Sequence, residues 1–256
     1  MPQSLFLKTA IQAARAGEAI IMHYYQSNIG VSLKADQTPV TVADVETEQA
    51  IKGILEDVFP EHGFFGEETG KDRPDAEYTW LVDPIDGTKS FVRENPFFST
   101  QIALLKGDAF ILGVSNAPVF GELAYAEAGS GAFINERPVR VSNIRELASA
   151  TLSFGNIKTL AGDWRWSSLA KLIRQVNRTR GYGDFYHYHL LAAGKLDVVI
   201  ESDVNILDVA ALSVLIQEAG GRVTDLEGKP LGLETTGILA SNGRLHERVL
   251  ELLARC

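Results

Sequence analysis

At 256 residues, 45% of them hydrophobic and 22% charged, the chain has the make-up of a globular protein with room for one large domain or two lobes. A formal net charge of −9, with no dense basic run, argues against a general nucleic-acid binder. No stretch reaches the roughly 20 apolar residues of a membrane span, and Lys8, Arg15 and Glu18 interrupt any signal-like apolar run near the N-terminus. The one cysteine, Cys256, cannot form an internal disulfide. The expectation is a cytoplasmic protein without nucleic-acid or membrane partners.

Leu5, Leu7, Ile11, Ala14, Ala19, Ile20 and Tyr24 recur at helical spacing and predict an amphipathic helix over 4–27, its Ala/Gly face suited to a core or dimer contact. The segment 29–42, with Gly30, Lys34 and Thr38-Pro39, reads as a loop that could act as a lid. A second helix is predicted over 43–58, ending before Pro60. From 63 to 143 the pattern turns to strands, at 64–65, 78–82, 99–105, 110–115, 122–126 and 132–141, which predicts a largely antiparallel sheet. Beyond 150, strands at 151–154, 197–201, 222–225 and 237–241 alternate with helices at 164–177, 186–193, 208–219 and 246–254, the signature of an α/β lobe. The pattern breaks at Asn143-Ile144-Arg145-Glu146, so the domains expected are 1–145 and 146–256.

Residues 80–91 read WLVDPIDGTKSF. An apolar run ends in Asp83, a second acid follows at Asp86, and Gly87 opens a possible helix start at Thr88. Such a string is often only a turn, since Pro fixes φ, Gly supplies positive φ and Asp caps the backbone. Paired carboxylates at a strand end can also hold hard divalent cations, and a helix start offers N–H groups to phosphate. Three further acidic segments favour the second reading: Gly66-Glu67-Glu68 after an apolar run, Asp44 at a helix start, and Asp208 opening an apolar helix. Each sits at an element end, from which side chains can converge. Asp44 could instead cap its helix, the lesser of its two readings, Asp184 could equally cap a helix after Gly183, and Lys89 and Arg93 read as solvated surface or as steering charges. His187 and His189, two apart, point to different helix faces and suit packing or surface roles.

Asp44, Gly66-Glu67-Glu68, Asp83-Pro84-Ile85-Asp86-Gly87-Thr88, Leu207-Asp208-Val209-Ala210-Ala211 and Glu218-Ala219-Gly220-Gly221 together resemble the inositol monophosphatase superfamily across nearly the whole chain. DPIDGTKSF and RGYGDFY (residues 180–186) look most like its histidinol-phosphatase branch. The resemblance implies an α/β (α+β) fold, a layered αβαβα sandwich of the inositol monophosphatase and fructose-1,6-bisphosphatase type, often a homodimer. It implies a Mg²⁺-dependent phosphate monoester hydrolase with two or three ions per site. Glu67, Asp83 and the Ile85 carbonyl would hold the first ion; Asp83, Asp86 and Asp208 would hold the second. Asp44 and Thr88, with Glu67, would serve the attacking water, and the Gly87 and Thr88 N–H groups would cradle phosphate. Glu201 and Asp184 would meet the organic end of the substrate. Inositol-1-phosphate and 3′(2′),5′-bisphosphate nucleotides are the alternative substrates, and a non-catalytic metal- or phosphate-binding module is the alternative class. Two positions depart from the pattern: Leu207 stands where a Trp is usual, and His187 where a small residue is usual.

Overall fold

The computed structural model describes residues 3–26, 31–33 and 39–254. The lid expected over 29–42 falls, at 29–30 and 34–38, outside the described residues, as does Cys256.

Helices α1 (Leu5–Tyr24) and α2 (Val42–Val58) follow the predicted periodicities, with a short antiparallel hairpin between them, β1 (Val31–Leu33) and β2 (Pro39–Thr41). Ser4 caps α1 by accepting from the Leu7 N–H. The first large sheet contains β3 (Gly63–Gly66), β4 (Gly70–Asp72), β5 (Tyr78–Asp86), β6 (Ser99–Lys106), β7 (Ala109–Ala117), β8 (Glu122–Glu127), β9 (Ala132–Ile134) and β10 (Arg137–Val139). The short helix α3 (Thr88–Val92) lies between β5 and β6. The spatial order is β10-β9-β8-β7-β6-β5-β3-β4, antiparallel except where β3 runs beside β5. The single strand expected over 132–141 is a hairpin, because Asn135 and Glu136 both take left-handed backbone (φ 49° and 64°) and turn the chain back.

The second half carries β11 (Thr151–Gly155), α4 (Ile157–Gly162), α5 (Trp166–Ile173), β12 (Arg178–Arg180), α6 (Asp184–Ala192), β13 (Val198–Ser202), α7 (Ile206–Glu218), β14 (Arg222–Thr224), β15 (Gly237–Ser241) and α8 (His246–Ala254). Its sheet runs β12-β11-β13-β15-β14, parallel at β12-β11-β13 and antiparallel at the other two contacts. The helix expected over 164–177 is shorter, because the chain leaves α5 after Ile173 to reach β12.

Period-two burial on the strands produces the layers. On β5 and β6, Trp80, Val82, Ile102 and Leu104 pack against Leu7, Ala10, Ala14, Ile51 and Leu55 of α1 and α2. Their neighbours Leu81 and Ala103 face the opposite way, onto Leu191 of α6 and Val209, Ala210 and Leu212 of α7. Val199 and Ala240 of the second sheet close on the same two helices. Val198, Ile200 and Leu239 face outward, to Leu160, Leu169, Leu172 and Val249 of α4, α5 and α8. The result is the expected αβαβα sandwich, with α6 and α7 as the central layer. A helix enclosed on both sides needs apolar residues all round, and every residue of 209–216 is buried.

The backbone of α7 lies almost on β7. A Cβ built on Gly113 would come within 2.2 Å of the Ala211 carbonyl oxygen. The sheet thus fixes where α7 sits, and with it the acid near its N-terminus. Gly113→Ala should push helix and sheet apart and destabilise the fold by at least the about 1–3 kcal/mol typical of overpacking. Urea unfolding would measure this; an unchanged midpoint would show that the contact is soft.

Candidate active site

In a regular strand, residues three apart point to opposite faces. Asp83 and Asp86 escape that rule because β5 slips against β6: Asp83 pairs with Gln101 and Asp86 with Ser99, three steps against two. The extra residue, at Pro84-Ile85, returns both acids to one face, and proline at an irregularity removes no ladder hydrogen bond that a regular strand would need. The Thr100 hydroxyl secures the bulge by donating to the Pro84 carbonyl at 2.9 Å, and Asp83 Oδ1 accepts the Ile85 N–H at 3.0 Å. Glu67 follows β3, whose last pair is Gly66 with Val82, so it arrives beside Asp83; its N–H donates to the Val82 carbonyl.

Two helix starts deliver the other acids. Asp208 does not open α7 as the sequence suggested; Asn205 is the N-cap, and Asp208 stands three residues later in a capping box. Asn205 Oδ1 accepts from the Leu207 and Asp208 N–H groups, while Asp208 Oδ2 accepts the Asn205 N–H at 2.8 Å. Asp44 is likewise not the cap of α2. Thr41 is, and Asp44 Oδ2 accepts both the N–H and the hydroxyl of Thr41 at 2.7 Å. The Thr88 hydroxyl lies 3.2 Å from the other oxygen of Asp44 and 3.0 Å from the Ile85 carbonyl. Gly87 caps α3 with φ 89°, and a Cβ there would strike the Phe97 carbonyl oxygen at 2.6 Å. Lys89 and Arg93 are exposed.

Asp83, Asp86 and Asp208 each offer an oxygen, all within 4.8 Å of one another. Crowding of this kind makes the charged forms unfavourable. Burial, then Glu67, Asp86 and Asp208, push the Asp83 carboxyl well above its usual range. Burial, then Asp208 and Asp184, do the same to Asp86. Asp208 rises to about 7, through burial first and then Glu67 and Glu201, against the lowering hydrogen bond from Asn205. Asp44 is raised mainly by burial, with Glu67 adding to it. A carboxylate cluster with a backbone carbonyl nearby, and no Cys or His among its members, fits a hard divalent cation.

A small pocket opens beside the cluster. It is lined by Asp86 and Asp208, by Asp184, Tyr188 and Glu201, and by Asn156 and three aliphatic side chains. Among the described residues no Lys or Arg lines it. Asp184 is the first residue of α6 and takes φ 45°. Its carboxyl is raised to about 6 by burial and by Glu201, with His187 opposing. Asp83, Asp86 and Asp208 therefore form one cluster, Asp184 and Glu201 line the pocket with two of them, and Glu67 lies close enough to raise both Asp83 and Asp44.

A profile of the inositol monophosphatase family matches residues 3–256. The chain belongs to the inositol monophosphatase family. Histidinol-phosphatase of Mycobacterium tuberculosis is 39% identical over 246 residues, covering 94% of each chain. Inositol-1-monophosphatase of Caulobacter vibrioides is 36% identical, over 89% of this chain and 91% of its own. Among solved structures, the extragenic suppressor protein suhB of Bartonella henselae superposes with a TM-score of 0.90 at 32% identity, covering 98% and 99% of the two chains. Like the enzymes of this family, the chain is a phosphatase.

Sequence reading missed the supports. Glu48, fully buried on α2, accepts the Glu68 and Thr69 N–H groups on its two oxygens at 2.8 and 2.7 Å, which holds the loop that presents Glu67. Gly66 makes room for it, since a Cβ there would fall 2.5 Å from that carboxyl group. Asn205 and Thr41 were legible as N-x-x-D and T-x-x-D capping boxes. His187 and His189 face different sides, as expected, and both are enclosed, which is the packing role of the two expected for them.

For Asp208, with an ordinary value of 3.8 and a folded value of about 7, the folded protein keeps a proton that the unfolded chain has lost across that interval. Without a cation, this group's contribution to stability falls as pH rises through the interval, by up to about 1.4 kcal/mol per pH unit. A divalent cation held by Asp208 would take the place of that proton. The rise in Tm on adding Mg²⁺ should therefore be larger at pH 8 than at pH 5, and Asp208→Asn should shrink it at pH 8. Equal rises at both pH values, or an unaffected Asn variant, would contradict the linkage.

Proposed function

We propose that this chain hydrolyses L-histidinol phosphate to L-histidinol and phosphate, with two or three Mg²⁺ ions held by Glu67, Asp83, the Ile85 carbonyl, Asp86 and Asp208. The observation that carries the substrate is the pocket beside the cluster, where Asp184 and Glu201 add two acids unopposed by any described Lys or Arg. A phosphate ester that carries a cationic amine matches that charge. The relative from Mycobacterium tuberculosis, named histidinol-phosphatase and aligned over almost the whole chain, supports the same reading. On this reading the protein serves histidine biosynthesis, as a homodimer in the cytoplasm.

Bound there, Mg²⁺ supplies positive charge that acidifies water and offsets charge on the departing ester oxygen. The protein's own part is orientation. Thr88 Oγ1 has one proton and two acceptors in reach, Asp44 Oδ1 and the Ile85 carbonyl. When it donates to Asp44, its lone pairs accept from the attacking water and aim that water's oxygen at phosphorus. The raised Asp44 carboxyl is a better proton acceptor than an ordinary aspartate. The N–H groups of Gly87 and Thr88 contact phosphate oxygens at the start of α3. Water attacks phosphorus as the ester P–O bond breaks; the proton it sheds passes through Thr88 to Asp44, and a solvent proton converts the departing alkoxide to the alcohol of histidinol.

Inositol-1-phosphate is the second reading, favoured by the Caulobacter relative's name; Glu201 would then accept from ring hydroxyls. Phosphate release with Mg²⁺ separates the two. A kcat/KM about 100-fold higher for L-histidinol phosphate than for inositol-1-phosphate or adenosine 3′,5′-bisphosphate, about 2.7 kcal/mol of differential transition-state binding, is the expected result. A preference for either competitor would replace the substrate while leaving the acidic cluster as the site of reaction.

Two substitutions test the assignment of residues. Asp83→Asn should abolish turnover with the fold intact by circular dichroism, and an active variant would sink the cluster's role. Asp184→Ala should reduce kcat/KM for histidinol phosphate at least tenfold more than for an aryl phosphate. Equal losses would remove Asp184 from recognition.

A further inference from the structure

Glu201 stands on β13 with its carboxyl group against β11, where a Cβ on Gly155 would fall 1.8 Å from Oε1. Its other oxygen, Oε2, is engaged twice by α6: the Tyr188 hydroxyl donates at 2.7 Å, and His187 Nε2 lies at 3.0 Å. His187 is completely buried. Its Nδ1 is 3.3 Å from Ser153 Oγ, which in turn accepts the Tyr182 N–H at 3.2 Å. A carboxylate at Glu201 offers only lone pairs, so the contact with Oε2 calls for a proton on His187 Nε2, while Nδ1 faces the Ser153 hydroxyl. Among the described residues, none hydrogen-bonds Oε1.

We propose that His187 is a positioning residue for substrate recognition: with Tyr188 it engages Oε2 of Glu201, and so presents Oε1, beside Asp184, as the acceptor for a protonated amine on the substrate. The inference rests on the reading of Glu201 and Asp184 as the substrate-binding acids. A small residue at 187 would leave Oε2 with the tyrosine alone and the carboxylate free to turn. A charge-assisted acceptor held in one orientation discriminates better than one that must be ordered on binding. The histidine lies behind Glu201 and touches no substrate, so its influence is on selectivity rather than on the chemical step.

The test compares L-histidinol phosphate with p-nitrophenyl phosphate, which has no amine, for the unaltered protein and for His187→Leu, His187→Gln and Tyr188→Phe. His187→Leu should lower the ratio of the two kcat/KM values about tenfold, mainly through KM for histidinol phosphate. Tyr188→Phe, which deletes the other donor to the same oxygen and little packing volume, should lower it too. His187→Gln keeps a donor near the Nε2 position and should recover most of the ratio. The Mg²⁺-induced shift in Tm, read on each variant, should stay close to that of the unaltered protein. Equal losses on both esters, or an unchanged ratio, would overturn the proposal; should His187→Leu fail to fold, Tyr188→Phe and His187→Gln decide on the same criteria. If the unaltered protein shows no preference for histidinol phosphate, the substrate reading itself fails, and this inference with it.

Discussion

Like charges in one place are the constraint on which this molecule is built. Asp83, Asp86 and Asp208 present oxygens within 4.8 Å of one another, with Glu67 beside them. At an effective dielectric constant near 20, unit charges at that separation repel by roughly 3.5 kcal/mol or more when both are ionised. The cluster persists because its members stand on elements that packing elsewhere has already placed. The β5 irregularity turns two acids to one face, and the seating of α7 on β7 at Gly113 sets the third. The apolar central layer of α6 and α7 supplies the burial that offsets the repulsion. A divalent cation held by these acids would relieve that repulsion.

The acids share a second device, in which one oxygen is engaged locally so that the other is aimed. Asp208 gives Oδ2 to the Asn205 N–H, and Asp44 gives Oδ2 to Thr41 while Oδ1 meets Thr88. Glu48 gives both its oxygens to the loop after Glu67 and none to the pocket. A carboxylate with one oxygen engaged has lost its freedom to flip, so its remaining lone pairs have a direction. The capping boxes of α2 and α7 therefore do two jobs: they satisfy helix N–H groups and they orient site residues.

Much of this was legible before the structure. The 3.6 and 2.0 periodicities located α1, α2 and most strands within a few residues, because those elements bury one face against a neighbour. Asp83 and Asp86 were read as a pair from their place at a strand end, but the irregularity that turns both to one face was not, since a regular strand would have split them. Asn135-Glu136 hid a hairpin because it lacks the glycine that usually marks such a turn. The spacing of His187 and His189 showed that they point apart but not what encloses them, because their partners Ser153, Glu201, Ser115 and Glu122 lie on strands distant in the chain. Glu48 could not be recognised, since its partners are backbone N–H groups 20 and 21 residues away.

The distribution of residues along the fold separates chemistry from selectivity. The acids of the cluster belong to the ends of β3 and β5 and to the start of α7, where any displacement disturbs the packing of a sheet. Asp184, His187 and Tyr188 all belong to α6, and Glu201 to the strand that it covers. A substitution on α6 alters the charge and orientation of the pocket wall while leaving the β5 irregularity and the seating of α7 in place. The same scaffold can therefore carry different substrates, as the names of its relatives indicate. Likeness of fold speaks for hydrolysis at the acidic cluster. On the proposed reading, which ester is hydrolysed turns on Glu201 and the three α6 side chains around it, Asp184, His187 and Tyr188.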